Sequence, residues 1–150
     1  MKRLIILCLL LGMLSGCSVK PNEYPFEHQN EPIASVDLLY YPWIVDDRKP
    51  FMEFQLIRTL AVEEIPEFMD KLCSLETKRV RPTPPSNYGQ YIARVSYENG
   101  NTEYFGTRHI EFVKAGEEAY AVGYYKFTGD SFEELFLSYA GNFDYLLTES

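Results

Sequence analysis

The sequence predicts an α+β fold: a mostly antiparallel sheet of about six or seven strands with two amphipathic helices on one of its faces. Three observations carry this reading. Between residues 33 and 127 several stretches alternate apolar and polar residues with period two, as half-buried strands do. Asn99-Gly100 separates two of these stretches, as a tight hairpin turn does. Two further stretches, at 61–75 and around 132–139, change to the i, i+3, i+4, i+7 spacing of a helix with one apolar stripe. The resulting order, ββαβββββα, suits an antiparallel sheet covered on one side.

The chain begins with two cations, Lys2 and Arg3, an apolar run from Leu4 to Leu14, and small residues leading to Cys17. That order is the one a secretory signal has. The run is far short of the roughly 20 apolar residues a membrane-spanning helix needs. Its end, Leu14-Ser15-Gly16-Cys17, resembles the lipobox of bacterial lipoproteins, and in length and pattern the chain resembles small envelope lipoproteins. The resemblance implies that residues 1–16 are a signal peptide and that Cys17 receives diacylglycerol and becomes the mature N-terminus. It places the protein on the outer face of a bacterial cell membrane, or on the outer membrane of a cell with two. Two or more acyl chains on Cys17 anchor stably, where one alone holds only reversibly.

Residues 17–32 are polar after Cys17 and carry Pro21, Pro25 and Pro32, so they read as a flexible tether in which His28 is solvated. Fully extended, such a tether lifts a domain about 50 Å from the bilayer. Residues 33–150 suffice for one domain with its own core. The chain has 14 Lys+Arg against 22 Asp+Glu, a formal net charge of -8. That balance argues against nucleic acid, which requires clustered cations to neutralise phosphates. Once Cys8 leaves with the signal and Cys17 is acylated, Cys73 has no disulfide partner.

From Ile33, Ala34, Val36, Leu38 and Tyr40 alternate with Ser35, Asp37 and Leu39; Met52, Phe54 and Leu56 alternate with Glu53 and Gln55, which predicts a long hairpin. Tyr40, Tyr41 and Trp43 form a candidate aromatic platform for a sugar ring. Ile65, Phe68, Met69, Leu72 and Leu75 make the stripe of the first helix, with Pro66 in its first turn and Glu63, Glu64 and Glu67 at its positive end. A short strand at 77–81 leads into Pro82-Thr83-Pro84-Pro85, a stiff connector.

If Asn99-Gly100 forms a two-residue turn, Val95 faces Tyr104 and Arg94 faces Phe105. Tyr91, Ala93, Val95, Tyr97 and Tyr104 then meet the helices, and Arg94, Glu103 and Phe105 point the other way. Strands near 108–113 and 119–127 follow. Asp130 and Glu133 open the second helix with capping-box spacing, Phe132, Leu135, Phe136 and Tyr139 form its stripe, and Gly141-Asn142 ends it.

With one sheet face covered by helices, the opposite face is the expected place for a ligand. Arg94, Glu103, His109 and Glu111 are the candidate binding residues there. His109 and Glu111 share a face, a pairing that can move a proton, but a catalytic zinc needs a third protein ligand, so neither a metal nor a cofactor is expected. No phosphate-binding loop, nucleophile elbow or cysteine–histidine motif occurs. The expected function is a membrane-anchored, non-enzymatic binding module engaging another envelope protein. The alternatives are a cell-wall glycan binder using Tyr40, Tyr41 and Trp43, and a hydrolase or metal-dependent enzyme centred on His109 and Glu111.

Overall fold

In the computed structural model the described residues are 24, 26, 28, 30–41, 54–80, 89–116 and 120–143. Seven strands form one antiparallel sheet in the order β2-β1-β4-β5-β6-β7-β3. They are β1 (Ile33–Tyr40), β2 (Gln55–Thr59), β3 (Thr77–Arg79), β4 (Tyr91–Tyr97), β5 (Thr102–Gly106), β6 (Ile110–Val113) and β7 (Tyr120–Phe127), with helices α1 (Ile65–Ser74) and α2 (Ser131–Ala140). Strands β4 to β7 form a meander of consecutive antiparallel pairs, and the β1–β2 hairpin joins it through β4.

Helix α1 carries the chain from one sheet edge to the other. Ile65, Phe68, Met69 and Leu72 are buried along its stripe, so it lies against the sheet while residues 60–76 cross from β2 to β3. Phe132, Leu135, Phe136 and Ala140 of α2 join the same cluster, with Val36, Leu38, Ala93, Val95, Phe105, Ile110 and Phe127 from the sheet. Both helices therefore cover one face. Arg58 ties them together: it donates to Glu64 at the start of α1 and, at 2.8 Å, to the Tyr139 carbonyl near the end of α2.

The β4–β5 register differs from the expected one by a single residue. Val95 pairs with Glu103, Arg94 with Tyr104 and Ala93 with Phe105. The loop holds three residues, Glu98, Asn99 and Gly100: the Tyr97 N–H donates to the Asn101 carbonyl at 2.9 Å. Only Gly100 takes a positive φ, +87°, while Asn99 does not, which is incompatible with the two-residue type I′ turn and fits the three-residue form with a left-handed last residue. Because strand side chains alternate, this shift exchanges the faces of all β5 side chains. Glu103 and Phe105 turn toward the helices, and Tyr104 turns away beside Arg94.

The segment expected to be a free tether contributes to the core. Tyr24 and Phe26 are both buried. Tyr24 meets Phe26 edge-on at 4.8 Å and Tyr125 at 5.3 Å, and Phe26 stacks with Phe105 at 6.1 Å. Phe26 adopts φ +46°, a left-handed conformation bulky residues avoid, held by this packing. His28 stacks on Phe112 at 3.8 Å and pairs with Glu31 at 2.7 Å, and Glu31 accepts from Asn99 at the hairpin tip. The folded unit thus begins by Tyr24 and not at residue 33. Phe26→Ala is expected to cost about 3–5 kcal/mol in denaturant unfolding, the range for deleting a core phenylalanine; unchanged stability would return this segment to a free tether.

Candidate functional site

The sheet face away from the helices carries a row of directly paired side chains. Thr59 of β2 pairs with Asp37 of β1, Asp37 with Arg94 of β4, Arg94 with Tyr104 of β5, and Tyr104 with Glu111 of β6. A bulge in β2 helps to build it. Leu38 pairs with Arg58 and Leu39 with Leu56, leaving Ile57 as the extra residue, so Leu56 and Thr59 both reach this face although three positions apart.

Asp37 is the anchor of the row. It accepts from Thr59 Oγ1 at 2.6 Å and from Arg94 Nη2 at 2.7 Å and Nε at 3.2 Å. The Asp37 side chain is 9% exposed and that of Arg94 39%, so the carboxylate is enclosed and the guanidinium reaches solvent. An arginine has five N–H donors in a planar fork; Asp37 orients that fork and leaves part of it facing outward, suited to a carbonyl or an anionic group. Beside this row Leu39 and Ile92 are buried against Phe54 and Tyr104. This face is therefore less open than the sequence suggests.

The four residues expected to share it separate into distinct environments. Arg94 and Glu111 are on it. Glu111 is buried, and burial raises its carboxyl above the usual range. His109, two positions before Glu111 and also buried, is pushed below the ordinary value of 6.5 by the same cause. Glu103 is not on this face: it is 1% exposed inside the core. Both its oxygens accept from tyrosine hydroxyls, Oε1 from Tyr24 and Oε2 from Tyr97. Burial raises the Glu103 carboxyl while the two tyrosines favour its ionised form, and burial beside that carboxylate raises both phenols.

Two members of the expected aromatic platform, Tyr40 and Tyr41, are separated. Tyr40 is buried on the helix side against Tyr91 and Phe143, whereas Tyr41 packs edge-on to Phe54 at 5.6 Å. Successive strand residues point to opposite faces, which separates them. Trp43 lies outside the described residues, as do Cys17 and the Pro82–Pro85 connector. Among the described residues, no group of three or more His, Cys, Asp and Glu is placed to hold a metal ion. Cys73 is half-buried, and burial pushes its thiol up to about 11, away from the thiolate a nucleophile requires.

Two surface features were not legible in the sequence. A cleft of about 290 Å³ lies between Gly89-Gln90-Tyr91, Thr107-Arg108 and the first turn of α2 with Asp130 and Glu133. Gly89 is required at its rim: φ is +92° and a Cβ there would meet Thr107 Oγ1 at 1.7 Å. The second feature is the outer edge of β2, where Leu56 is 54% exposed. Pairing order decides that β2 is an edge strand, and no local pattern announces it. No family model, curated protein or solved structure matches this chain.

Glu103→Ala is expected to cost about 3 kcal/mol or more, because two buried hydroxyls lose their acceptor and a void is left. Glu103→Gln, which keeps an acceptor, is expected to cost less; equal losses in denaturant unfolding would mean that shape, not hydrogen bonding, is what matters at this position. For His109 the folded pKa lies below the unfolded one, so the unfolded chain binds the proton first. Its contribution is present above pH 6.5 and is lost as pH falls below that value. His109→Gln is expected to flatten the stability profile in that window, and an unchanged slope would assign it to other groups.

Proposed function

We propose that this protein is a lipid-anchored extracytoplasmic lipoprotein whose folded domain is a non-enzymatic binding module for another envelope protein. The observation that carries the anchor is the Leu14-Ser15-Gly16-Cys17 sequence behind two cations and an apolar run of signal-peptide length. The anchored location makes neighbouring envelope proteins the partners within reach.

The sheet supports a binding role through β2. Among the described residues it is an edge strand, with backbone donors and acceptors on its outer side, the arrangement to which an extended segment of a partner adds as a further strand. Exposed Leu56 supplies an apolar contact on that strand, and Arg94, two strands inward on the same face, supplies an oriented cation. Main-chain pairing provides affinity in such complexes, and alternate side-chain contacts provide selection.

Crosslinking in intact cells of the full-length, C-terminally tagged protein tests this, with Cys17→Ala, Leu56→Asp and Arg94→Lys beside the wild type. One dominant envelope protein is expected, captured only when Cys17 is present, and reduced about tenfold by Leu56→Asp, consistent with losing one well-buried apolar contact. Arg94→Lys keeps the charge beside Asp37 but removes the planar fork, and is expected to weaken capture by more than the loss of stability, read by denaturant unfolding, that follows from losing one of the two hydrogen bonds to Asp37. Capture indifferent to both substitutions would exclude this face and edge, and recovery of cell-wall material in place of a protein would overturn the partner class.

A further inference from the structure

We propose that the β3–β7 edge of the sheet rests against an anionic phospholipid surface, so that the anchor orients the domain as well as retaining it. The proposal rests on lipidation of Cys17. Its first support is the length of the leash. Tyr24 is docked: its backbone N–H donates to Thr77 Oγ1 at 2.9 Å, its hydroxyl donates to Glu103, and its ring meets Tyr125. Seven positions separate Cys17 from Tyr24. Even fully extended they span no more than about 25 Å, half of what a tether reaching residue 33 allows. The chain therefore enters the fold beside Thr77, the first residue of β3.

The second support is the charge at that entry point. Lys78 stands directly opposite Lys126 in the β3–β7 register, and Arg79 follows on the same edge strand. Like charges directly opposite work against strand pairing. Neither lysine belongs to an ion pair among the described residues. Lys78 and Arg79 are exposed and Lys126 is half-buried. The segments Thr77–Arg79 and Tyr120–Phe127 together carry these three cations and no acid, with exposed Glu76 one position before β3, in a chain whose formal net charge is -8.

An anionic bilayer therefore attracts this edge and repels the acidic remainder. Attraction of this kind acts within roughly one Debye length, about 8 Å at physiological salt. A leash of at most about 25 Å attached next to the cations keeps them close enough to reach the zone where that attraction operates. Lysine on an edge strand also discourages pairing between sheets, and only the lipid role predicts shielding that depends on lipid charge.

The test uses the full-length lipidated protein in vesicles and a membrane-impermeant amine-acylating reagent, with mass spectrometry reading the rate at each lysine. In vesicles containing phosphatidylglycerol, Lys78 and Lys126 are expected to react about fivefold more slowly than in phosphatidylcholine vesicles, the factor for one cation near an anionic surface. Exposed Lys114 is expected to be unchanged, and high salt is expected to restore the lost reactivity. Rates at Lys78 and Lys126 that ignore lipid charge, in protein that floats with the vesicles, would overturn the orientation while leaving the anchor intact. Wild-type protein that floats no better than Cys17→Ala would overturn the anchor and this proposal with it.

Discussion

A carboxylate removed from water must find hydrogen-bond donors or give up its charge, and Glu103 finds them in Tyr24 and Tyr97. The arrangement depends on the β4–β5 register. With Gly100 alone in the left-handed region, the hairpin closes with three loop residues, Val95 pairs with Glu103, and the acid points toward the helices. One residue of slip would expose it. Once inside, it needs a second donor that no strand supplies, and the segment before β1 provides Tyr24. The same tyrosine then fits among Phe26, Phe105 and Tyr125, so an electrostatic requirement and an aromatic one are met by one side chain.

Docking of Tyr24 sets where the chain enters the fold. A domain starting at residue 33 would move freely at the end of a long tether. A domain starting at Tyr24 begins beside β3, at the sheet edge where Lys78, Arg79 and Lys126 collect. The opposite edge, β2, then stands six strand spacings away, about 29 Å across a flat sheet. If the chain is anchored as proposed, one edge would face the membrane and the other would be open to a partner, without any moving part.

Paired charges in this protein mostly do structural work. Asp37 joins β1, β2 and β4 through Thr59 and Arg94, and Glu64 accepts from both Arg58 and the Ala61 N–H at the entry to α1. Arg94 combines such a role with a solvent-facing fork, and so remains the candidate contact residue on its face. His109 and Glu111 are both buried, and burial shifts each toward its neutral form.

The sequence by itself determined the order and type of the elements, because periods of two and 3.6 are local properties of the chain and survive folding. It located both helix stripes, the Pro66 start and the Gly141 stop, and the presence of a turn at Asn99-Gly100. Only the tertiary structure decided the pairing order β2-β1-β4-β5-β6-β7-β3, since antiparallel neighbours need not be consecutive. It also decided the face of Glu103: period-two alternation in Thr102-Glu103-Tyr104-Phe105 reads equally well in two registers, and the loop conformation chooses between them. Tyr24 and Phe26 were invisible as core residues for a related reason. They stand in a polar, proline-containing segment with no periodicity, and their partners, Glu103 for Tyr24 and Phe105 for Phe26, lie 79 positions away in the chain.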